Sequence, residues 1–513
     1  MSADIEQIFS EAVGLHQSNK LLDAEKRYRD ILAVAPDHAN VLHLLGVTLM
    51  QQGRQREAIG HMEQAIALTT PQPVPEFHNN IATCLRAVGF LDRAVMHLKT
   101  AAELKPNDAV AQLRLGLVLM ENGKAADAVH YFQLATILKT DFAEAHNNLG
   151  IALRQVGKLH EAQLALRAAV ALQPRDAGAH YVLGNILKDM GKIKEATASF
   201  ETAAALDPTH AGAHWNTALA HLSRGDFTEG WKTYGWYTKI KGAAPLSFTQ
   251  PAWDGGDLGG KTLLLYEEHG YGDTLQFIRY AREIRKHAGR VVVSCRPEMV
   301  RLLASAPGVD EAVSSGQPLP RFDYHASFFV LPQLMKTTVP SIPRGVPYLT
   351  PPAALVETWR ARDILRPGRN AGIVWRGNKK TDARRTMTVD QAARLCMVPG
   401  FHWVSLQVGA EPAEDAALSA QNVKNAGTFF TDWADTAALV SALDLVVTVD
   451  TAVAHLAGAL GKPVWIMLPF VPDWRWLLER ADSPWYPTAR LFRQPAADDW
   501  DAVITAVAAA LKV

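Results

Sequence analysis

Residues 447–463 read VTVDTAVAHLAGALGKP. The Val-Thr-Val opening is a β-branched run and predicts a buried strand. The Ala/Leu-rich run behind it predicts a helix. Three polar side chains, Asp450, Thr451 and His455, stand at and just past the switch. In an open parallel α/β sheet, ligands bind at the carboxyl edge of the strands. A helix starting there turns unpaired N–H groups and a positive dipole end toward an anion. The stretch therefore predicts an α/β lobe with a phosphate seat.

The same alternation extends outward. AGIVWRG, HWVSLQV, DLVVTV and KPVWIML read as strands with helices between them, starting from Asn370. Upstream, KTLLLYEE (261–268) reads as a buried strand, GYGD as a turn and TLQFIRYAREIRKH as an amphipathic helix. RVVVSC is a second strand, PEMVRLLASA a helix, and EAVSS and HASFFVL further strands. PRGVPYLTPP (343–352) reads as a connector. Two βα sets on either side of a Pro-rich connector predict two Rossmann-like lobes facing a cleft, the first one small.

The first half is a repeat array. Gly46, Gly116, Gly150 and Gly184 are each followed twelve residues later by Ala58, Ala128, Ala162 and Ala196, and Pro36, Pro106, Pro174 and Pro208 close units. Repeat starts fall near residues 5, 39, 75, 109, 143, 177 and 211, with a two-residue insertion in TTPQPVPE. Small residues let the two helices of a unit approach. Larger ones (Tyr28, Phe132, Phe200, Tyr234) fill the space between them. Each unit buries its apolar face only against its neighbours, which predicts a superhelix with a concave groove. His78, His146, His180 and His214 share one repeat position; packing is the plainer reading and a metal site the sharper one.

Composition narrows the partners. Lys+Arg and Asp+Glu are both 52, with no polybasic or acidic block, which argues against nucleic acid and anionic membrane. The N-terminus lacks a basic region followed by an apolar core, and no apolar run approaches a membrane span. Cys84, Cys295 and Cys396 are far apart and lack CxxC spacing. A cytoplasmic protein with neither disulfides nor a cysteine metal site is expected.

The repeats resemble the tetratricopeptide repeat. The run from GIVWRGN through TDWADTAALVSALDLVVTVDTAVAHLAGALGKPVWIMLP to DWRWLLERADSPWYPTARLFRQ resembles the C-terminal lobe of heptosyltransferase-like GT-B glycosyltransferases, especially bacterial ones fused to tetratricopeptide repeats. GYGDTLQFIRYA resembles their N-lobe motif. The resemblance implies a tetratricopeptide superhelix over 1–240, a linker over 241–260, a GT-B N-lobe over 261–350, a connector over 351–369 and a nucleotide-sugar lobe over 370–513. It also implies a metal-independent, inverting transferase. Its co-substrate is a nucleotide-sugar, no cofactor is needed, and its acceptor is a protein such as flagellin.

The resemblance assigns roles residue by residue. Asp273 is the general base for an acceptor hydroxyl, with helix capping as its plainer alternative and Glu268 and His269 as fallbacks. Gly270 and Gly272 allow a tight turn and close approach of substrate. Thr451 and His455 hold the donor diphosphate, unless His455 is buried packing. Asp450, being anionic itself, is expected to cap the helix or bond a neutral hydroxyl. Among Arg376, Lys379, Lys380, Arg384 and Arg385, the expected anion partners are Arg376 and Arg385. Trp474 and Trp476 stack a base or sugar whose hydroxyls Asp473 or Arg475 bonds, or the two indoles simply pack, and Asp435 with Thr436 marks a helix N-cap. Asn80, Asn148 and Asn216 share one repeat position. In protein O-GlcNAc transferases, whose repeats these resemble, asparagines there grip an acceptor backbone. Leu44, Arg114 and Val182 interrupt the series, and capping or solvated asparagines are the alternative. Two rival functions stay open: a repeat scaffold with a non-catalytic nucleotide lobe, and a transferase acting on a glycan or lipid core.

Overall fold

The structure, a computed structural model, describes residues 3–241, 246, 248–377 and 383–512. It holds an N-terminal array of paired helices followed by an α/β region with two parallel sheets. Two compact units result: residues 1–190 with 205–208, and residues 191–204 with 209–513.

In the first unit the repeat glycines explain the helix pairing. A Cβ on Gly46 would lie 2.7 Å from Met62 Cγ, and one on Gly116 would lie 2.5 Å from the Phe132 ring. One on Gly150 would lie 1.5 Å from Leu166 Cδ2. Each glycine on the first helix of a hairpin thus receives a large side chain from the second. The shared histidine position also has a structural use. His146 Nε2 donates to the Thr140 carbonyl at 3.1 Å, and His180 Nε2 donates to the Pro174 carbonyl at 3.0 Å. Gln112, at the same position, donates to the Pro106 carbonyl at 3.2 Å. The side chain ties down the loop that closes the preceding repeat, six residues back. His78 instead pairs with His97, Nδ1 to Nδ1, at 3.0 Å.

The second unit begins with repeat helices and ends with the sheets. Strands β1 (Thr262–Tyr266), β2 (Arg290–Cys295), β3 (Glu311–Ser314) and β4 (Tyr324–Ser327) form a four-stranded parallel sheet ordered β3-β2-β1-β4. Strands β5 (Asn370–Val374), β6 (His402–Ser405), β7 (Lys424–Asn425), β8 (Leu445–Val449), β9 (Val464–Leu468) and β10 (Ala489–Arg493) form a six-stranded parallel sheet ordered β10-β9-β8-β5-β6-β7. The order reverses between β1 and β4 and again between β5 and β8. Those reversals leave a crevice at the carboxyl ends of the strands, where α/β sheets take ligands.

Several local expectations change. GYGD is not a turn before a helix. Helix Tyr271–Phe277 starts at once behind its N-cap Gly270, so Gly272 and Asp273 lie in its first turn. The following segment is not amphipathic. Residues 274–281 are all buried, and the helix breaks into a 3₁₀ turn, Ile278–Tyr280, and a short helix, Ala281–Ile284. Strands β7 and β10 were not expected. The first is two residues long, and the second, ARLFR, is an edge strand with two charged side chains. Within the Gly/Pro-rich stretch before β1, Ala252 bridges to His325 and Trp253 N–H donates to the His325 carbonyl at 2.8 Å.

The last repeat hairpin, Ala211–Ser223 and Phe227–Tyr234, shares a core with the α/β part of its unit. Trp231 Nε1 donates to the Thr337 carbonyl at 2.6 Å, and Gln333 donates to the Trp231 carbonyl at 2.9 Å. Tyr234 stacks on Phe329 with centroids 4.8 Å apart.

Two glycines test the packing account in opposite directions. Gly60 lies inside helix Gln55–Leu68 with nothing within 4 Å of a would-be Cβ. Gly60→Ala should raise the thermal midpoint, since alanine favours a helix interior by about 0.5–1 kcal/mol. Gly116→Ala should lower it, because overpacking against the fully buried Phe132 costs about 1–3 kcal/mol. Calorimetric midpoints of both variants check the pair.

Candidate functional site

The site is built on the carboxyl ends of β1 and β8, within the second unit. Asp273 follows β1. It does not cap its helix; its carboxylate Oδ1 instead accepts from Arg475 Nη2 at 2.5 Å, across 202 residues of sequence. Arg475 is buried. It also donates from Nη1 to Asp473 Oδ1 at 2.8 Å and from Nε to Gln276 Oε1 at 2.7 Å. Its guanidinium lies 4.6 Å from the centroid of the Trp474 ring. Burial works against charge on both Asp473 and Arg475, but their contact overrides it, holding Asp473 below the usual carboxylate value and Arg475 above the usual guanidinium value.

Thr451 follows β8 and occupies the N-cap of helix Ala452–Ala459. Among the described residues no side chain caps that helix. The Thr451 hydroxyl pairs with the Thr448 hydroxyl at 3.0 Å. Ala454 N–H donates to the Thr451 carbonyl at 3.0 Å, which leaves the Ala452 and Val453 amides of the first turn for an incoming acceptor. Gly272 is what brings the two edges together. A Cβ there would lie 2.9 Å from His455 Cδ2 and 3.7 Å from Ala452 Cα. Its missing side chain serves contact between helices rather than approach of a ligand.

Asp450 does not cap the helix, contrary to expectation. It is buried, and its Oδ2 accepts from Arg385 Nη1 at 3.2 Å. Burial raises its carboxyl to about 6; Arg385 opposes the rise and the charge of Asp473 adds to it. Arg385 is thus both the partner of Asp450 and a cation at the switch between β5 and β8.

Four expected ligand contacts are structural instead. His455 is buried, bonded through Nδ1 to the Tyr486 hydroxyl at 2.9 Å, and stacked on Trp476 at 5.2 Å. Burial and the nearby Arg475 lower it to about 3, so at neutral pH it offers no positive charge to a phosphate. Trp474 is buried among Trp231, Phe227 and Trp485, with centroids 5.6, 5.8 and 5.9 Å away, and Trp476 is fully buried. Neither indole has a face for a base or sugar. Arg376 is spent on Glu414, at 3.1 Å from Nε and 2.8 Å from Nη2, and on the Gly409 carbonyl at 2.5 Å.

The remaining expectations divide. Arg384 is exposed, while Lys379 and Lys380 lie outside the described residues. Glu268 accepts from the Tyr237 hydroxyl at 2.7 Å, and His269 stacks on Phe329 at 3.9 Å. The cap of helix Trp433–Ala442 is Asp432, not Asp435; Asp435 accepts from Thr431 N–H at 3.1 Å and Trp359 Nε1 at 3.2 Å. Gly458 packs on Tyr486, where a Cβ would lie 2.3 Å from the ring. The shared asparagine position is not one surface. Asn80 Nδ2 bonds His43 Nε2 at 2.9 Å, Asn148 Nδ2 donates to the Glu144 carbonyl of its own helix at 2.9 Å, and Asn216 is buried. Gln276 is the site residue that sequence reasoning missed, and Arg475, expected with Asp473 to bond a base's or sugar's hydroxyls, instead holds Asp273 and Gln276. Arg475 stood inside the quoted DWRWLL, but two of its partners, Asp273 and Gln276, lie in the other lobe.

The tetratricopeptide repeat family profile matches residues 11–73, 80–141, 147–187 and 181–230. The profile of glycosyltransferase family 9 (heptosyltransferase) matches residues 409–466, which hold Asp450, Thr451 and His455. The chain joins tetratricopeptide repeats to a segment that matches glycosyltransferase family 9. Protein FlbA of Caulobacter vibrioides is 27% identical over 320 residues, covering 57% of this chain. The chain spans about half the length of that curated relative, 53%. Among solved structures, one of MamA is 28% identical, covering 32% of this chain and 95% of that one, with a TM-score of 0.30. YrrB, described as a tetratricopeptide repeat protein with an unusual peptide-binding site, is 19% identical, covering 36% and 95%, with a TM-score of 0.33. Among the described residues, no helix is long and apolar enough to cross a membrane.

The Asp450 carboxyl gives a pH test. Its folded value of about 6 lies above the usual 3.8, so folding favours the protonated form. The stability that it contributes is complete below about 4 and is lost as pH rises through about 6. Asp450→Asn mimics the neutral acid. It should raise the thermal midpoint by about 2 °C or more at pH 7.5 and by about half as much at pH 5. An equal change at both values would remove the titration assigned to Asp450.

Proposed function

We propose that the chain is an inverting, metal-independent glycosyltransferase that moves a sugar from a nucleotide-sugar to a serine or threonine hydroxyl of a protein held by the repeats. The observation that carries this reading is the meeting of two sheet edges. Asp273, oriented by Arg475, stands one residue from Gly272, which packs against Ala452 at the uncapped helix N-terminus. An inverting transfer needs those two functions side by side.

In the proposed reaction, the acceptor hydroxyl gives its proton to Asp273 as its oxygen attacks the anomeric carbon. The bond from that carbon to the diphosphate breaks, and the electron pair leaves on the phosphate oxygen. Arg385 and the first-turn amides of helix Ala452–Ala459 take up the growing negative charge. For that, Arg385 turns from Asp450 to the phosphate. Thr451 adds its hydroxyl. His455 acts by holding helices 271–277 and 452–459 together rather than by touching the donor.

The protein acceptor rests on the fusion of this centre to tetratricopeptide repeats, an architecture suited to peptide segments. Flagellin, the acceptor suggested by the resemblance, is the first to try. Of the three asparagines, Asn80 and Asn148 are half-buried and Asn216 is buried, so the first two are the better placed to touch it.

The test is a thermal-shift screen against CDP, UDP, ADP and GDP, followed by transfer assays read by intact mass. One nucleoside diphosphate should raise the midpoint, because a ligand of the folded state alone must stabilise it. Arg385→Ala should reduce that shift. Asp273→Asn should keep the shift while lowering transfer by about a hundredfold or more. If no diphosphate shifted the midpoint at millimolar concentration, the chain would instead be read as a repeat scaffold.

A further inference from the structure

Tyr234 is fully buried at the end of the last repeat helix, Phe227–Tyr234, and its hydroxyl has no hydrogen-bond partner among the described residues. The same repeat position shows that packing does not ask for that oxygen. Phe132 and Phe200 occupy it elsewhere with equal burial, and Tyr28 occupies it with its hydroxyl 3.4 Å from His16 Nδ1. A buried hydroxyl without a partner costs stability. Phenylalanine would hold the position better, unless the oxygen has a partner in another state of the site.

The candidates for that partner are close by. The Tyr234 ring meets Trp474 edge-on, with centroids 6.2 Å apart, and the Arg475 guanidinium lies over the same indole at 4.6 Å. Arg475, Asp273 and Asp473 all act electrostatically on the Tyr234 phenol, which burial keeps protonated. The guanidinium is shared among Asp273, Asp473 and Gln276.

We propose that Tyr234, from the last repeat helix, is a positioning residue of the transfer centre, its hydroxyl accepting a hydrogen bond from the Arg475 guanidinium once Asp273 has become neutral. The inference rests on the transferase reading. When Asp273 takes the acceptor's proton, its hold on Arg475 weakens. Arg475 would be left with an unmatched N–H in a dry core, which is costly. The Tyr234 oxygen supplies the replacement acceptor, so the array contributes a side chain to the chemistry as well as a surface for the acceptor.

A double-mutant cycle on the full chain tests this without any sugar donor. Asp273→Asn mimics the neutral acid. With native Asp273, Tyr234→Phe should raise the thermal midpoint or leave it unchanged. In the Asp273→Asn background the same change should lower it by about 1 °C or more. The same response in both backgrounds would overturn the pairing. In transfer assays with native Asp273, Tyr234→Phe should lower kcat about tenfold with the donor KM unchanged. An unchanged kcat would overturn the positioning role. A native chain that transfers no sugar would count against the transferase reading, while the midpoint cycle would still decide the pairing.

Discussion

Everything at the candidate site depends on one buried guanidinium. Arg475 comes from the segment after β9, yet it bonds Asp273 and Gln276 from the helix after β1 and Asp473 beside it in sequence. A buried cation is tolerable only when its hydrogen bonds and countercharge are supplied together. That requirement fixes helix Tyr271–Phe277 against the six-stranded lobe and orients the Asp273 carboxylate. A second buried arginine, Arg279, repeats the device further along. It donates to the Trp485 carbonyl at 2.8 Å, the Pro343 carbonyl at 3.2 Å and the Tyr348 hydroxyl at 2.8 Å. The two lobes and their connector are thus held by polar bonds that each tolerate little displacement.

Around this pair the charges alternate. Asp273, Arg475 and Asp473 form one chain, and Arg385 with Asp450 forms another at the β5–β8 switch. An anion entering at the Thr451 helix cap would compete with Asp450 for Arg385. Asp450 holds the cation in place until then, and its raised carboxyl accommodates a proton as negative charge gathers. This arrangement suits a diphosphate that is bound, transferred from and released.

The fold was legible because its strongest signals are local. β2 and β8 are β-branched runs ended by polar residues, and the repeat glycines recur at fixed spacing. The site was legible only where a motif is also local. Thr451 stands just past a strand end, as read, and Asp273 lies in the first turn of the helix after β1. Their partners did not show, because nothing in PDWRWLL tells that its arginine reaches 202 residues back. Trp474 and Trp476 were misjudged for a related reason. Alternating indoles look the same whether they face a ligand or a core, and here Phe227 and Trp231 of the last repeat hairpin cover Trp474. Arg376, in the loop after β5, looked like an anion partner until Glu414 of helix Pro412–Ser419 claimed it.

The most direct measurement is a crystal structure of the full chain with the nucleoside diphosphate that raises its thermal midpoint. The account predicts the diphosphate on the first-turn amides of helix Ala452–Ala459, with Arg385 turned from Asp450 to a phosphate oxygen and Asp273 still within reach of Arg475. A nucleotide seated elsewhere, or Arg385 still bonded to Asp450 beside an occupied site, would contradict it.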